Sequence, residues 1–308
     1  MTQSLLVVGS IAFDTIRTPH GHAPEVLGGS ATYFSVAASF FVPVRLVGVV
    51  GEDFPADFRK VLESRCIDTA GLQCVQGGKT FRWRGSYQGS MNEATTEDVQ
   101  LNVFGNFRPE IPEAWRDTHL VFLANGSPAT QGSVLDQVQQ PRLVVADTMN
   151  LWIDTQRGPL LALLKRVNGL VLNDGEARML AGEHNLVVAA QTILDLGPRF
   201  VIIKKGEHGA LLACREEAGG PVRICTLPAY PATDVRDPTG AGDSFAGGFM
   251  GYLTREGEFS FTNLVRAMAY GTVVASFTIE DFSLRRLDTL VIDEIDRRLC
   301  EYHDMLTF

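Results

Sequence analysis

A chain of 308 residues is long enough to bury a large core, either as one α/β domain or as two smaller ones. Its 36 Asp and Glu against 27 Lys and Arg give a formal charge of −9, which argues against nucleic acid as a partner, because phosphates need a basic face. Five cysteines at 66, 74, 214, 225 and 300, an odd number without a Cys-x-x-Cys pair, fit a reduced, cytoplasmic protein without a structural metal site, and no apolar segment is long enough to suggest a membrane span.

Taken in chain order, the first apolar run, Leu5–Val8, has no basic flank and reads as a strand rather than a signal peptide. Asp14 follows just past it, at the carboxyl end where open α/β sheets place their ligands. A carboxylate there can accept hydrogen bonds from two neighbouring hydroxyls, or it can cap a turn. Gly28-Gly29 opens a helix over Ala31–Phe41, and a strand over Val44–Val50 leads to a helix over Phe54–Ser64. Residues Lys79 to Phe107 break the alternation: Phe81, Trp83, Gly85 and Tyr87 recur with period two, which predicts a small β excursion. Ala12 to Val26 could pair with it as a second, smaller sheet, or the excursion could extend an edge of the main one.

Short apolar runs at Leu120–Leu123, Leu143–Ala146, Leu170–Leu172 and Val201–Ile203 then alternate with helical periodicity over Glu176–Ala181, Leu186–Leu196, Ser244–Leu253, Asn263–Ser276 and Leu287–Tyr302. That alternation predicts a mainly parallel sheet covered by helices. Three strand ends carry polar clusters. Asp147-Thr-Met-Asn150 could line a pocket or satisfy turn amides. Asn173 and Glu176 have the spacing of a capping box, and a Glu one turn into a helix can also hold a Mg²⁺-bound water. Lys204-Lys205-Gly206-Glu207-His208-Gly209 reads as a hairpin turn beside a ligand or as a solvated surface turn.

The most informative stretch is Asp237-Pro-Thr-Gly-Ala-Gly-Asp243-Ser-Phe-Ala-Gly-Gly-Phe249. A glycine-rich turn before a helix points backbone N–H groups at one spot, and the helix dipole favours an anion there. A carboxylate beside an anion site makes sense if Asp243 takes a proton while the amides stabilise charge on a transferring phosphoryl group. That combination points to a kinase acting on a hydroxyl.

This stretch resembles the C-terminal signature of the ribokinase-like (PfkB) carbohydrate kinase family, and the resemblance runs in order along nearly the whole chain. It implies a three-layer αβα sandwich, one domain over 1–308, with a β-sheet lid built from segments near 12–27 and 79–107. It implies Asp243 as catalytic base and Gly240, Ala241 and Gly242 as the anion hole. Asp14, Gly28 and Gly29 would line the acceptor pocket, the diglycine acting as hinge, and Asn150 would join them. Tyr33 stands where the family often has an Asn that touches the sugar, so a ring that stacks on the substrate or narrows the pocket is expected instead. ATP would meet Asn173, Glu176, Lys205, Gly206, Gly209 and Thr239, with Mg²⁺ held through water by Glu176. Asp237 would stand beside a loop that binds a monovalent cation such as K⁺ in many members. A closed lid would exclude water, the competing acceptor, and its open strand edges suit a homodimer.

Other signals fail. Gly77-Gly78-Lys79-Thr80 lacks the first glycine of a Walker loop, Gln73 standing in its place, and no Gly-x-Gly-x-x-Gly follows the first strand. His20 and His22 have no acidic or Cys partners at ligand spacing. Arg82 and Arg84 read as exposed lid residues. The expected activity is ATP-dependent phosphorylation of a small sugar or polyol. A nucleoside kinase of the same fold, and a non-catalytic binding protein on a kinase scaffold, stay open beside it.

Overall fold

The computed structural model describes residues 3–217 and 219–307. Its strands are β1 (Leu5–Val8), β2 (Ala12–Thr18), β3 (Gly21–Gly28), β4 (Val44–Gly51), β5 (Ile67–Val75), β6 (Phe81–Tyr87), β7 (Ala94–Gln100), β8 (Leu120–Leu123), β9 (Leu143–Asp147), β10 (Gly169–Asn173), β11 (Phe200–Lys204), β12 (Ala210–Cys214) and β13 (Arg223–Leu227). Nine of them form the main sheet in the order β13-β12-β11-β10-β9-β8-β1-β4-β5. β5, β4, β1, β8, β9, β10 and β11 run parallel, and β12 and β13 return antiparallel at one edge.

The helices are α1 (Ser30–Ser39), α2 (Ala56–Glu63), α3 (Pro128–Leu135), α4 (Asn150–Thr155), α5 (Arg157–Leu164), α6 (Asp174–Ala181), α7 (Leu186–Asp195), α8 (Ala241–Glu256), α9 (Phe261–Thr278), α10 (Arg285–Thr289) and α11 (Ile292–Leu306). The sheet alternates its side chains between two cores. Leu5, Val7, Phe122, Val145, Val171 and Ile202 face α1, α8 and α9 on one side. Leu6, Val8, Val121, Val144, Leu170 and Val201 face α3, α5, α6 and α7 on the other. This is the expected α/β sandwich. Among the described residues no helix is long and apolar enough to cross a membrane.

Among the elements that differ from expectation, which include the unexpected β12, β13, α3, α4 and α5, two do so for identifiable reasons. The helix predicted over Leu287–Tyr302 is two helices, because Arg65 reaches across and takes the carbonyls of Leu287 and Asp288, ending α10. The chain then extends through Leu290, which is buried, and α11 starts afresh with Glu294 accepting the Val291 N–H. β5 carries Asp68 and Thr69 among its apolar residues and is buried at alternate positions, so it shows no continuous apolar run.

The second sheet, in the order β3-β2-β6-β7, is built from the two excursions. β2 pairs antiparallel with β3 and parallel with β6, and β6 pairs antiparallel with β7. Ile16, Ala23, Tyr87 and Met91 give it a small core that closes on Phe282 of the body. The period-two reading of Phe81 to Tyr87 therefore belongs to a separate sheet, and β3 and β7 are its edges.

Candidate active site

The signature turn enters α8 through Gly240, which caps the helix in the left-handed region at φ 75°. A side chain there would strain the backbone and collide with the body, since a Cβ would lie 2.3 Å from Cγ of Tyr33. Asp243 occupies the third position of the helix, inside the first turn, where the dipole favours negative charge. The Ala241 N–H donates to the Pro238 carbonyl at 3.2 Å and the Ser244 N–H to the Gly240 carbonyl at 2.8 Å. Among the described residues this leaves the amides of Gly242 and Asp243 as the first-turn donors without a backbone acceptor. Of the expected anion-hole residues Gly240, Ala241 and Gly242, Ala241 spends its donor on closing the turn, while the Gly242 amide keeps its donor unpaired by backbone among the described residues.

Facing this turn is a cluster that strand parity assembles. Leu143, Val145 and Asp147 project to one side of β9, and Phe200, Ile202 and Lys204 project to the same side of β11, the side that α8 covers. Lys204 therefore lands over the start of α8. A Cβ on Gly242 would lie 2.9 Å from its Nζ, and Nζ is 3.8 Å from Asp147 Oδ2. Burial alone would lower the Lys204 pKa, but the carboxylates of Asp147, Glu176 and Asp243 outweigh it and raise it. Burial pushes Asp243 up to about 7; Asp147 adds to the push and Lys204 opposes it.

Asn173 and Glu176 form a full capping box on α6: the Glu176 N–H donates to Asn173 Oδ1 and the Asn173 N–H to Glu176 Oε2, both at 2.8 Å. Burial pushes Glu176 up to about 7, with Asp147 and Asp243 adding to it and Lys204 and the Asn173 N–H opposing. Such a carboxylate, part of a cluster that already holds a lysine, suits the outer sphere of a hydrated ion better than direct ligation. Among the described residues no group of three or more His, Cys, Asp or Glu side chains is placed to hold a metal ion by itself.

On the other side of the turn lies Asp14. It sits on lid strand β2 rather than in a loop after β1, opposite Val26 and Trp83, and is only 4% exposed. Burial pushes it up to about 8, helped by the charges of Asp237 and Asp243. Gly28 and Gly29 are both required here. A Cβ on Gly28 would fall 1.9 Å from Asp14 Oδ2, and Gly29, at φ 97°, lies against the Ser10 carbonyl. Asp237 is fully buried and accepts two backbone N–H bonds, from Thr239 on Oδ1 and from Ser283 on Oδ2, so it ties the signature turn to the 283 loop. The Thr239 hydroxyl donates to Tyr87 Oη at 3.2 Å, a contact between this turn and the lid.

The other expected positions lie around this cluster or away from it. Tyr33 is 1% exposed and packed beneath Gly240, so its ring braces the turn and offers no face to a substrate. Asn150 is exposed and its Oδ1 accepts the N–H of Leu151, which leaves Asp147 as the residue of that loop that faces the cluster. Lys205 projects from the opposite parity to Lys204; its backbone N–H donates to the Gly209 carbonyl at 2.7 Å and its carbonyl accepts the His208 N–H at 3.0 Å. Gly209, at φ 82°, is a turn position packed on the Leu227 carbonyl, where a Cβ would lie at 2.0 Å. Gly206 is exposed beside the lid tip, whose Asn92 amide donates to Glu207 at 2.6 Å. Arg82 is held within the lid by Glu25 and Phe13 and reaches Asp53 on the loop after β4, so it ties the lid to the body. Lys204 and Asp147 join the cluster from two stretches that sequence reasoning had singled out, where it had favoured their neighbours Lys205 and Asn150. The signal was present, because counting by twos from Ile202 and Val145 reaches both.

Comparison with known proteins bears on this arrangement. A family model described as pfkB family carbohydrate kinase matches residues 129–289, which hold Asp147, Lys204 and the whole signature turn. A cytidine kinase of Thermococcus kodakarensis is 30% identical over 256 residues, covering 82% of this chain and 88% of that protein. The fold is shared with a nucleoside kinase of Methanocaldococcus jannaschii, at a TM-score of 0.77 and 20% identity over 97% of this chain and 98% of that one. It is shared too with an E. coli protein titled a putative ribokinase II, solved with ATP and Mg²⁺, at a TM-score of 0.78 and 17% identity over 97% and 99%. With the matched segment taking in the sheet's ligand edge and the helix that carries Asp243, the chain belongs to the pfkB family of carbohydrate kinases.

Proposed function

We propose that this protein transfers the γ-phosphoryl group of ATP to a hydroxyl of a nucleoside. The observation that carries the reading is the placement of Asp243 within the first turn of α8, beside the free amide of Gly242, with Lys204 on one side and Asp14 on the other. Asp14 accepts hydrogen bonds from the hydroxyls of a ribose, which orients the sugar. Asp243 takes the proton of the attacking hydroxyl, and the amides of Gly242 and Asp243 receive charge on the equatorial oxygens. Positioning and electrostatics carry the rate, because phosphoryl transfer asks little covalent work of the protein. ATP lies along the β10–α6 and β11–β12 ends, at Asn173, Glu176 and Gly206. Mg²⁺ supplies charge neutralisation between the phosphates when bound, and Glu176 is suited to hold its water. The choice of a nucleoside over a free sugar is supported by the relative at 30% identity, a cytidine kinase.

The test is phosphoryl transfer from ATP to a panel of nucleosides, pentoses, hexoses and inositols, read by mass spectrometry. Nucleosides, pyrimidine ones first, are expected to turn over. Turnover of free sugars alone would replace the nucleoside reading, and no turnover with any acceptor would favour a binding protein. The panel is run with and without K⁺, since the lone pairs left on Asp237 are the ones such an ion would take.

A further inference from the structure

Lys204 has a placement that a simple counter-ion does not need. A lysine paired with Asp147 alone could stop beside it. Instead the ammonium stands against the first turn of α8, with its Nζ 2.9 Å from where a Gly242 side chain would begin. The positive end of a helix dipole repels a cation. The position is tolerable because Asp147, Glu176 and Asp243 surround it, and among the described residues Lys204 is the one positive charge acting on all three. The contact to Asp147, at 3.8 Å, is longer than a hydrogen bond, so the ammonium is held by charge rather than locked in one geometry. Its side chain is 19% exposed, enough to be reached from the site. A cation at an anion-binding helix end, loosely tethered and ringed by carboxylates, is stored where a highly charged anion arrives.

We propose that Lys204 is a catalytic residue that binds the transferring phosphoryl group. The inference rests on the phosphoryl-transfer reading above. In the step, the acceptor O–H bond gives its proton to Asp243 while the acceptor oxygen bonds to the γ-phosphorus. The bond from that phosphorus to the β–γ bridging oxygen breaks, and ADP leaves with the electron pair. Lys204 keeps its three protons throughout and moves from the carboxylates to the equatorial oxygens, opposite the amides of Gly242 and Asp243. Glu176 and Asp147 give up their cation in that arrangement, and Glu176 would hold a water of the Mg²⁺ that neutralises the phosphates when it is bound.

The test uses Lys204→Met and Lys204→Arg in the full chain. Lys204→Met is expected to lower kcat about 100- to 1,000-fold, as loss of a transition-state donor does, while the acceptor KM stays within about threefold. Lys204→Arg, which keeps the charge, is expected to recover at least about tenfold of that loss. Calorimetry without acceptor separates binding from turnover. Lys204→Met should weaken ATP by about tenfold more than ADP, because only ATP carries the group that Lys204 meets. Equal loss for ATP and ADP, or a kcat within about threefold of the parent, would overturn the proposal. So would a lowered melting temperature that Lys204→Arg restores without restoring turnover. If the parent phosphorylates no acceptor, the nucleoside reading fails, while the ratio of ATP to ADP affinity still decides the role of Lys204.

Discussion

The carboxylate of Asp14 fills the space where a side chain on Gly28 would stand: a Cβ there would come within 1.9 Å of Oδ2. One strand of the lid thus supplies the acid and its hydrogen-bonded neighbour supplies the gap; Asp14 lies opposite Val26 and Gly28 opposite Ala12, so the two are diagonal neighbours across the β2–β3 pairing. Gly28→Ala must push Asp14 aside. It is expected to reduce kcat/KM for the acceptor on the order of 100-fold, since a displacement of about 1 Å at a positioning group has that effect. The KM for ATP should stay near the parent value. Steady-state kinetics with each substrate varied in turn checks this, and an unchanged kcat/KM for the acceptor would remove Asp14 from the acceptor site.

Asp243→Asn retains the shape of the first turn and removes the base. Turnover is expected to fall by about 100- to 10,000-fold, the range for loss of a positioned general base. ATP affinity by calorimetry should remain, or improve slightly as a negative charge leaves the phosphate site. Near-normal kcat in this variant would assign the base elsewhere.

The pH profile follows from the direction of the shifts. Both Asp14, pushed up to about 8, and Asp243, pushed up to about 7, act ionised, as hydrogen-bond acceptor and as base. In the free enzyme kcat/KM for the acceptor should therefore rise steeply from about pH 6 to about pH 8, with a limiting slope above one on its acid side. Asp14→Asn should reduce that slope to one. A profile flat across this range would show that neither carboxylate titrates there.

The same shifts predict a conflict between stability and function. A carboxylate whose folded pKa is raised binds protons more tightly in the folded than in the unfolded chain. Stability is then lost as pH rises from the ordinary carboxylate range through the folded value. For Asp14 that window runs up to about 8. Asp14→Asn removes the term, so its melting temperature should exceed the parent's by about 2–4 °C at pH 8 and match it near pH 4. Scanning calorimetry across this range checks the sign; a variant less stable at pH 8 would contradict it.

The lid touches the body through several polar contacts, among them Tyr87 Oη with Thr239, Asn92 with Glu207, Arg82 with Asp53, and Ser283, whose hydroxyl donates to the Leu27 carbonyl. Tyr87→Phe removes the first and spares the small apolar core around it. ATP hydrolysis without acceptor, the reaction that a closed lid suppresses, should rise relative to transfer by about two- to fivefold, given that a neutral hydrogen bond is worth about 1 kcal/mol. An unchanged ratio of hydrolysis to transfer would mean that this contact does not hold the lid.

Much of this was legible before any coordinates. Apolar runs set the six central strands, and the alternation with helical periodicity set the layers, because burial on both faces of a parallel sheet leaves a signal in local sequence. The turn at Gly240 and the carboxylate at Asp243 were equally plain, since a left-handed cap and a helix start are local events. Tertiary structure alone decided between neighbours. Whether Lys204 or Lys205, Asp147 or Asn150, enters the site depends on which face of the sheet α8 covers, and α8 lies far along the chain from both strands. Whether Tyr33 meets a substrate or braces a turn depends likewise on Gly240 closing over it. Local sequence sets the chemistry available at each strand end; packing between distant segments decides which side chain can use it.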